Sequence, residues 1–298
     1  MGLFFKNIVS TLLISCCTIV SAACPGTEKN LLNLAKLKAS EWQMNDAALR
    51  QQTALDMLDC LASPNPQLRD ELAFEALAFW MRGELLSIDT VHQIRRQLLV
   101  QVAVTPTVND DGFVQPFAAL VLAEVARVDR RKPFMTELQR TEMVNAAAEY
   151  LSFVNDFRGY DENSGWRHGV AHGADWMMQL SLNPSLNKRH HEIMLGALAK
   201  QIRNDRHFYQ YGEGERLMTP VFYLGLRSSL SNEEWDSWFA SLHTTSLDLK
   251  KTTQASLARK HNLTAFLSAL YVNLHESKQV AFQEKFLPFV VKSLKKLN

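Results

Sequence analysis

Apolar side chains recur at intervals of three or four residues along almost the whole chain after residue 27. This spacing aligns side chains on one face of an α-helix, so the pattern predicts helices throughout. Two clear stripes come early, one at Ala54, Leu55, Leu58 and Leu61 and one at Leu68, Leu72, Ala76 and Trp80. The Ser-Pro-Asn-Pro run at 63–66 lies between them and predicts a turn.

The later segments continue the helical pattern. We expect helices near 113–128, 136–153, 165–182, 187–203, 213–229, 231–243, 252–275 and 277–296. Ser231, with Glu234 three residues further on, forms a capping box at the start of one of them. Strand signals are weak, because the partly β-branched stretch at 98–104 has no tight turn joining it to a partner.

Many helices of ordinary length joined by short turns are typical of stacked helix pairs. The stretch at 64–73 is similar to a HEAT-type repeat, with proline at the turn and Leu-Arg-Asp on the entering helix. We therefore predict an all-α fold. Its architecture is an α/α superhelix of HEAT-like helix pairs, in a single domain over residues 24–298.

The first 23 residues have the features of a secretory signal peptide. Lys6 precedes an uncharged, mostly apolar stretch at 8–20, and small residues follow at 21–23. That stretch is shorter than the roughly 20 residues that cross a bilayer. We therefore expect cleavage after Ala23 and a periplasmic or secreted protein. No later segment is apolar enough to span a membrane.

Charge bears on the choice of partner. Removal of Lys6 leaves 31 Lys and Arg against 31 Asp and Glu in the mature chain. Such a balance provides no overall basic field to attract nucleic acid, so we expect no nucleic-acid partner.

Two cysteines, Cys24 and Cys60, remain after cleavage, since Cys16 and Cys17 lie in the predicted signal peptide. Two cysteines in an oxidising compartment most often pair, which predicts a Cys24–Cys60 disulfide. The alternative is a lipoprotein attached through Cys24. It is less favoured, because Ser21 stands where such signals usually have Leu and because Cys60 would be left unpaired.

Residues 158–176 carry the most informative motif. On the helix predicted there, His168, His172, Asp175 and Gln179 fall within a narrow arc. Two imidazoles and a carboxylate on one stripe could bind a divalent transition metal such as zinc. They could also form a His–Asp pair in which the carboxylate orients a base. The third interpretation is structural, with the stripe facing solvent opposite an apolar face.

Glycines accompany this stripe at 165, 169 and 173. Because glycine destabilises a helix by roughly 1 kcal/mol relative to alanine, their presence indicates either a closely packed neighbouring helix or an open groove. The candidate groove residues are Arg158, Tyr160, Asp161, Trp166, His168, His172, Asp175, Glu215, Arg216 and Asn262. The structural interpretation of Glu215 and Arg216 is an acidic first helix turn. That of Asn262 is a cap or an interhelix hydrogen bond.

Several of these motifs occur together in one known family. They are the Leu-Arg-Asp-Glu-Leu-Ala-Phe string at 68–74, residues 158–161, 165–166 and 168–175, the Glu-Arg-Leu at 215–217, and Asn262 ahead of Phe266 and Leu267. In these motifs the chain resembles the bacterial domain-of-unknown-function 2785 family, although Gly169 stands where the family has Ala. The resemblance implies an all-helical domain and no established activity.

Two functions are consistent with these observations. The first is a binding scaffold whose concave face receives a peptide, a glycan or a partner protein around His168, His172 and Asp175. Helical solenoids characteristically offer such surfaces. The alternative is a hydrolase, possibly metal-dependent, that uses the same residues. Binding is favoured, because the sequence has no unambiguous nucleophile.

Overall fold

The computed structural model describes Cys24 and residues 28–103, 111–227, 229–247 and 251–297. The predicted signal peptide lies outside these residues. The N-terminal part contains α1 (Glu28–Ala39) and α2 (Ala47–Asp56), a 3-10 helix (Met57–Ala62), a π-helical segment (Gln67–Phe74) and α3 (Glu75–Arg82). The turn predicted at 63–66 joins the 3-10 helix to the π-helical segment.

The rest of the described chain is nine further helices and one short hairpin. The helices are α4 (Ile88–Ala103), α5 (Val114–Arg131), α6 (Glu137–Phe153), α7 (Gly169–Ser181), α8 (Lys188–Ile202), α9 (Glu213–Leu226), α10 (Asn232–Ser241), α11 (Gln254–His275) and α12 (Val280–Lys295). Strands β1 (Tyr160–Asp161) and β2 (Gly165–Trp166) pair antiparallel between α6 and α7. The structure is 71% helical, which confirms the predicted all-α class.

Alternate helices pack side by side. Helix α7 contacts both α5 and α9, and α9 contacts α11 in turn. In a second row, α6 contacts α4 and α8. The helices of this second row also pack on the next helix along the chain, α4 on α5, α6 on α7 and α8 on α9. The core is a single cluster running from Leu34 to Val290, with Trp80, Trp176 and Trp235 fully buried. A HEAT-like superhelix remains a prediction.

Side-chain caps fix several helix starts. Capping boxes lie at Thr136, Asn187, Ser231 and Thr253, and each satisfies backbone N–H groups that have no partner inside the helix. The box predicted at Ser231 is therefore confirmed.

The predicted helix at 165–182 is wrong at its start. Gly165 has φ +72° and closes the hairpin, and His168 has φ 56° and ψ 37°, so α7 begins only at Gly169. The predicted helical stripe therefore loses His168. Gly169 and Gly173 are helical, and a Cβ at either would lie 3.0 Å from side chains of the preceding segment. Close packing is thus the reason for these two glycines.

Cys24 and Cys60 form a disulfide, as predicted. The lipoprotein alternative requires the same sulfur of Cys24, which this bond occupies. Among the described residues, no helix is both long enough and apolar enough to cross a membrane.

Candidate functional site

The hairpin formed by β1 and β2 is the centre of the candidate site. Oδ1 of Asp161 accepts hydrogen bonds from the backbone N–H of Asn163 and from both the N–H and the hydroxyl of Ser164, which closes the turn. These bonds lower the pKa of Asp161. The ladder continues beyond the strands, because Arg167 N donates to Gly159 O at 3.0 Å.

A buried arginine from a distant segment anchors this hairpin. Arg69 has no exposed surface, and its Nη2 donates to the carbonyl of Ser164 at 2.8 Å while Nη1 donates to the carbonyl of Ser63 at 2.8 Å. Its guanidinium also lies 3.8 Å from the centroid of the Phe113 ring. The motif at 68–74 therefore contributes to the site through Arg69. From the sequence, this motif indicates a HEAT-type repeat and the family resemblance but no contact with the hairpin.

His168 and His172 lie close together, with ring centroids 5.8 Å apart, but both are buried, at 9% and 8% exposure. His172 Nδ1 donates to the Pro116 carbonyl at 3.2 Å. Burial, with the positive charge of Arg216 adding to it, lowers the pKa of His168 to about 4. Burial is also the main cause that lowers the pKa of His172, to about 3. Both rings are therefore neutral at pH 7, and they do not face solvent as the structural interpretation assumed.

Asp175 is bound to an arginine. Both of its carboxylate oxygens accept hydrogen bonds from Nη1 of Arg216 at 2.7 Å, and burial raises the pKa of Asp175 against the opposing charge of Arg216. The described structure does not pair Asp175 with a histidine. It also contains no group of three His, Cys, Asp or Glu side chains placed to hold a metal ion. Gln179 accepts a bond from Nε of Arg130 instead of joining the histidines.

Three partly exposed aromatic side chains meet at the hairpin. Tyr160, Trp166 and Tyr211 are 50%, 40% and 39% exposed. The Trp166 ring lies 5.1 Å from that of Tyr160 and 5.7 Å from that of Tyr211, and it also contacts His168 at 4.7 Å. We call Tyr160, Trp166 and Tyr211 the aromatic cluster. Tyr211 is not among the predicted groove residues, although the Tyr-Gln-Tyr-Gly run at 209–212 is visible in the sequence.

Asn262, one of the candidate groove residues, is buried, and its structural interpretation fits better than a place in a groove. It is 1% exposed, and its Nδ2 donates to the carbonyls of Asn204 and His207 while its Oδ1 accepts from the N–H of Tyr209. The hydrogen bonds of this buried side chain fix the loop between α8 and α9, which carries Tyr211. Glu215 is exposed on the first turn of α9.

An open pocket of about 590 Å³ lies beside the aromatic cluster. We call it the hairpin pocket. Its lining residues are Phe157, Arg158, Gly159, Tyr160, Asp161, Ser164, Arg167, His207, Gln210 and Tyr211. Of the predicted groove residues, Arg158, Tyr160 and Asp161 therefore line it directly, and Trp166 touches two of its aromatic walls.

Comparison with known proteins gives one match. No curated protein and no solved structure matches the chain. The model of the family described as "Protein of unknown function (DUF2785)" matches residues 101–272. That match covers α5 to α10 with the hairpin, the aromatic cluster and Asn262, and it extends over more than half of the sequence. The chain therefore belongs to the DUF2785 family.

Proposed function

We propose that this protein is a binding protein whose ligand site is the hairpin pocket with its aromatic cluster. The observation that carries the proposal is the meeting of Tyr160, Trp166 and Tyr211, all substantially exposed, beside an open pocket. Exposed apolar patches on soluble proteins commonly mark interaction sites, and aromatic side chains dominate the energetics of binding.

The support behind these rings favours recognition. Arg69 holds the hairpin that carries Tyr160 and Trp166, and Asn262 holds the loop that carries Tyr211. Two buried polar side chains thus order the two surface segments that carry the aromatic cluster. Ordering of a site before its ligand arrives reduces the entropy lost on binding.

Hydrolysis is the less supported function. With pKa values of about 4 and 3, His168 and His172 are weak bases at neutral pH. Asp175 is engaged by Arg216, so it does not orient either ring. A binding role needs neither a base nor a nucleophile.

We also propose that the protein acts outside the cytoplasm. The Cys24–Cys60 disulfide supports this location, because disulfides persist mainly in oxidising compartments. Glycans and extracellular peptides are accordingly the ligands to screen.

The test is an array of immobilised oligosaccharides and peptides probed with the wild-type protein and with Tyr211→Ala. We expect at least one ligand class to bind the wild type, and the substitution to abolish that binding while the melting temperature stays near the wild-type value. Tyr271→Ala is the control, because Tyr271 has nearly the same exposure, 38%, but lies on α11 away from the pocket lining. Binding unaffected by Tyr211→Ala, or no binding at all, contradicts the proposal.

A further inference from the structure

Arg167 presents a fixed guanidinium at the hairpin pocket. Its Nε donates to the carbonyl of Asp111 at 2.7 Å, and its guanidinium carbon lies 4.4 Å from the Phe113 ring centroid. Within the described ranges of the chain, its two terminal nitrogens have no hydrogen-bond acceptor. A planar guanidinium held in this way suits two parallel bonds to a carboxylate.

A second guanidinium lines the same pocket. Arg158 binds the Asp156 carboxylate through Nε at 2.8 Å, and the charges of Arg158 and Arg167 act on each other. The acidic lining residue, Asp161, uses Oδ1 to close the hairpin turn. An anionic ligand group bound by Arg167 is attracted by both arginines, against the opposing charges of Asp156 and Asp161.

The remaining lining suits a ligand rich in hydroxyl groups. All lining residues except Phe157 and Gly159 carry hydrogen-bonding side chains, which differs from the mostly apolar pockets that take apolar small molecules. Tyr211 packs against the backbone of Gly159 and yet remains 39% exposed. A sugar ring has hydroxyls at its edge and apolar C–H faces, so it meets both features.

We infer that the hairpin pocket binds an acidic sugar, a pyranose ring that carries a carboxylate. The carboxylate binds the terminal nitrogens of Arg167, one face of the ring lies against Tyr211, and ring hydroxyls bond to Asp161 and Gln210. This assignment rests on the proposed function and adds the class of ligand. An acidic peptide is less favoured, because its backbone and side chains offer few hydroxyls to so polar a lining.

The test uses matched pairs of probes. Tetramers of galacturonate, glucuronate and mannuronate are titrated into the wild-type protein by calorimetry, each beside its fully methyl-esterified form, which keeps the ring and hydroxyls but loses the charge. We expect at least one acid tetramer to bind about ten- to a hundredfold more tightly than its ester, the range typical of a lost charge-assisted hydrogen bond. Arg167→Gln should abolish this preference for the acid over the ester. Arg189→Gln, at an exposed position on α8, should leave the preference unchanged.

The possible outcomes separate the two proposals. If every ester binds as tightly as its acid, or if Arg167→Gln leaves the preference intact, the acidic-sugar assignment is wrong. If no tetramer binds but a peptide or a neutral glycan binds in a Tyr211-dependent manner, the assignment is also wrong while the proposed function stands. If nothing binds, both are wrong. A thermal melt of Arg167→Gln, with a melting temperature near that of the wild type, is the control for folding of the variant.

Discussion

At the scale of single residues, Gly159 is the tightest position of the candidate site. A Cβ at this position would overlap the ring of Tyr211. The observed position of the Tyr211 ring beside Trp166 therefore requires the absence of a side chain at 159.

We predict that Gly159→Ala displaces Tyr211, weakens the near-ultraviolet circular dichroism of the cluster and abolishes ligand binding. The control is Gly196→Ala on the exposed face of α8, where a Cβ meets no atom within 4 Å. That change should stabilise the protein by up to about 1 kcal/mol, because alanine is the better helix former. An unchanged near-ultraviolet spectrum in Gly159→Ala contradicts the prediction.

His172 makes stability depend on pH. Its pKa in the folded protein is about 3, below the value of about 6.5 expected in the unfolded chain. As the pH falls, the unfolded state therefore takes up the proton first. The stabilisation is complete above about pH 6.5 and is lost progressively toward pH 3. From this residue alone, we expect a loss on the order of 3 kcal/mol between pH 7 and pH 4.

Urea unfolding at both pH values measures this effect. His172→Gln should show a smaller loss between pH 7 and pH 4 than the wild type, even if it is less stable at pH 7. His275→Gln, at an exposed position on α11, should keep the wild-type difference. Equal pH dependence in the wild type and His172→Gln would show that the buried ring does not govern the acid response.

At the scale of elements, the periodicity of apolar residues predicted the helices but not the hairpin. The segment predicted at 136–153 is Glu137–Phe153 in the structure, and that predicted at 252–275 is Gln254–His275. Strands of two residues are too short to show any alternation of apolar and polar positions. The sequence did not predict the left-handed conformation of His168 either, since residues other than glycine adopt it only uncommonly.

The candidate site was predictable where its residues are neighbours in sequence. Tyr160, Asp161 and Trp166 belong to one motif, and the structure places them on one hairpin. Arg69 lies 95 residues before Ser164, whose carbonyl it binds, and only the packing of distant helices brings the two together. Tyr211 meets Trp166, and Asn262 meets the loop that carries Tyr211, through tertiary contacts that a single sequence does not record.

The hairpin should lose its position when Arg69 is replaced. We predict that Arg69→Met destabilises the protein by about 3 kcal/mol or more, because the carbonyls of Ser63 and Ser164 lose their charged donor in a buried site. Amide exchange in residues 160–168 should accelerate. Arg69→Lys should not restore the loss, since an ammonium cannot donate to both carbonyls and stack on Phe113. The matched control is the exposed Arg96→Met.

If exchange at 160–168 in Arg69→Met matches that of the wild type, the anchoring role is refuted, whatever happens to global stability. Arg96→Met separates this outcome from a general effect of removing a positive charge.

At the scale of the whole molecule, one core cluster joins the helices from α1 to α12, and one covalent bond secures its N-terminal end. The Cys24–Cys60 bridge has a sequence separation of 36 residues. On a chain-entropy basis, a loop of this size stabilises the folded state by about 3–4 kcal/mol.

We therefore predict that reduction lowers the melting temperature by several degrees and that the Cys24→Ser, Cys60→Ser double variant melts where the reduced wild type does. Scanning calorimetry with and without dithiothreitol measures both. The double variant should not respond to dithiothreitol, which controls for effects of the reductant itself. A wild-type melt that is insensitive to reduction would mean that the bridge contributes nothing to stability.

The anchoring of the hairpin by Arg69 also determines how far the polypeptide can be shortened. A fragment trimmed to residues 101–272 retains the hairpin and the aromatic cluster but omits the segment that carries Arg69. It also omits α12, whose Phe286 ring packs 4.7 Å from that of Trp235. Such a fragment leaves the Ser164 carbonyl without its donor and exposes a tryptophan that is fully buried in the intact chain. Recombinant production of a binding-competent protein therefore has to begin before residue 63 and extend through Lys295.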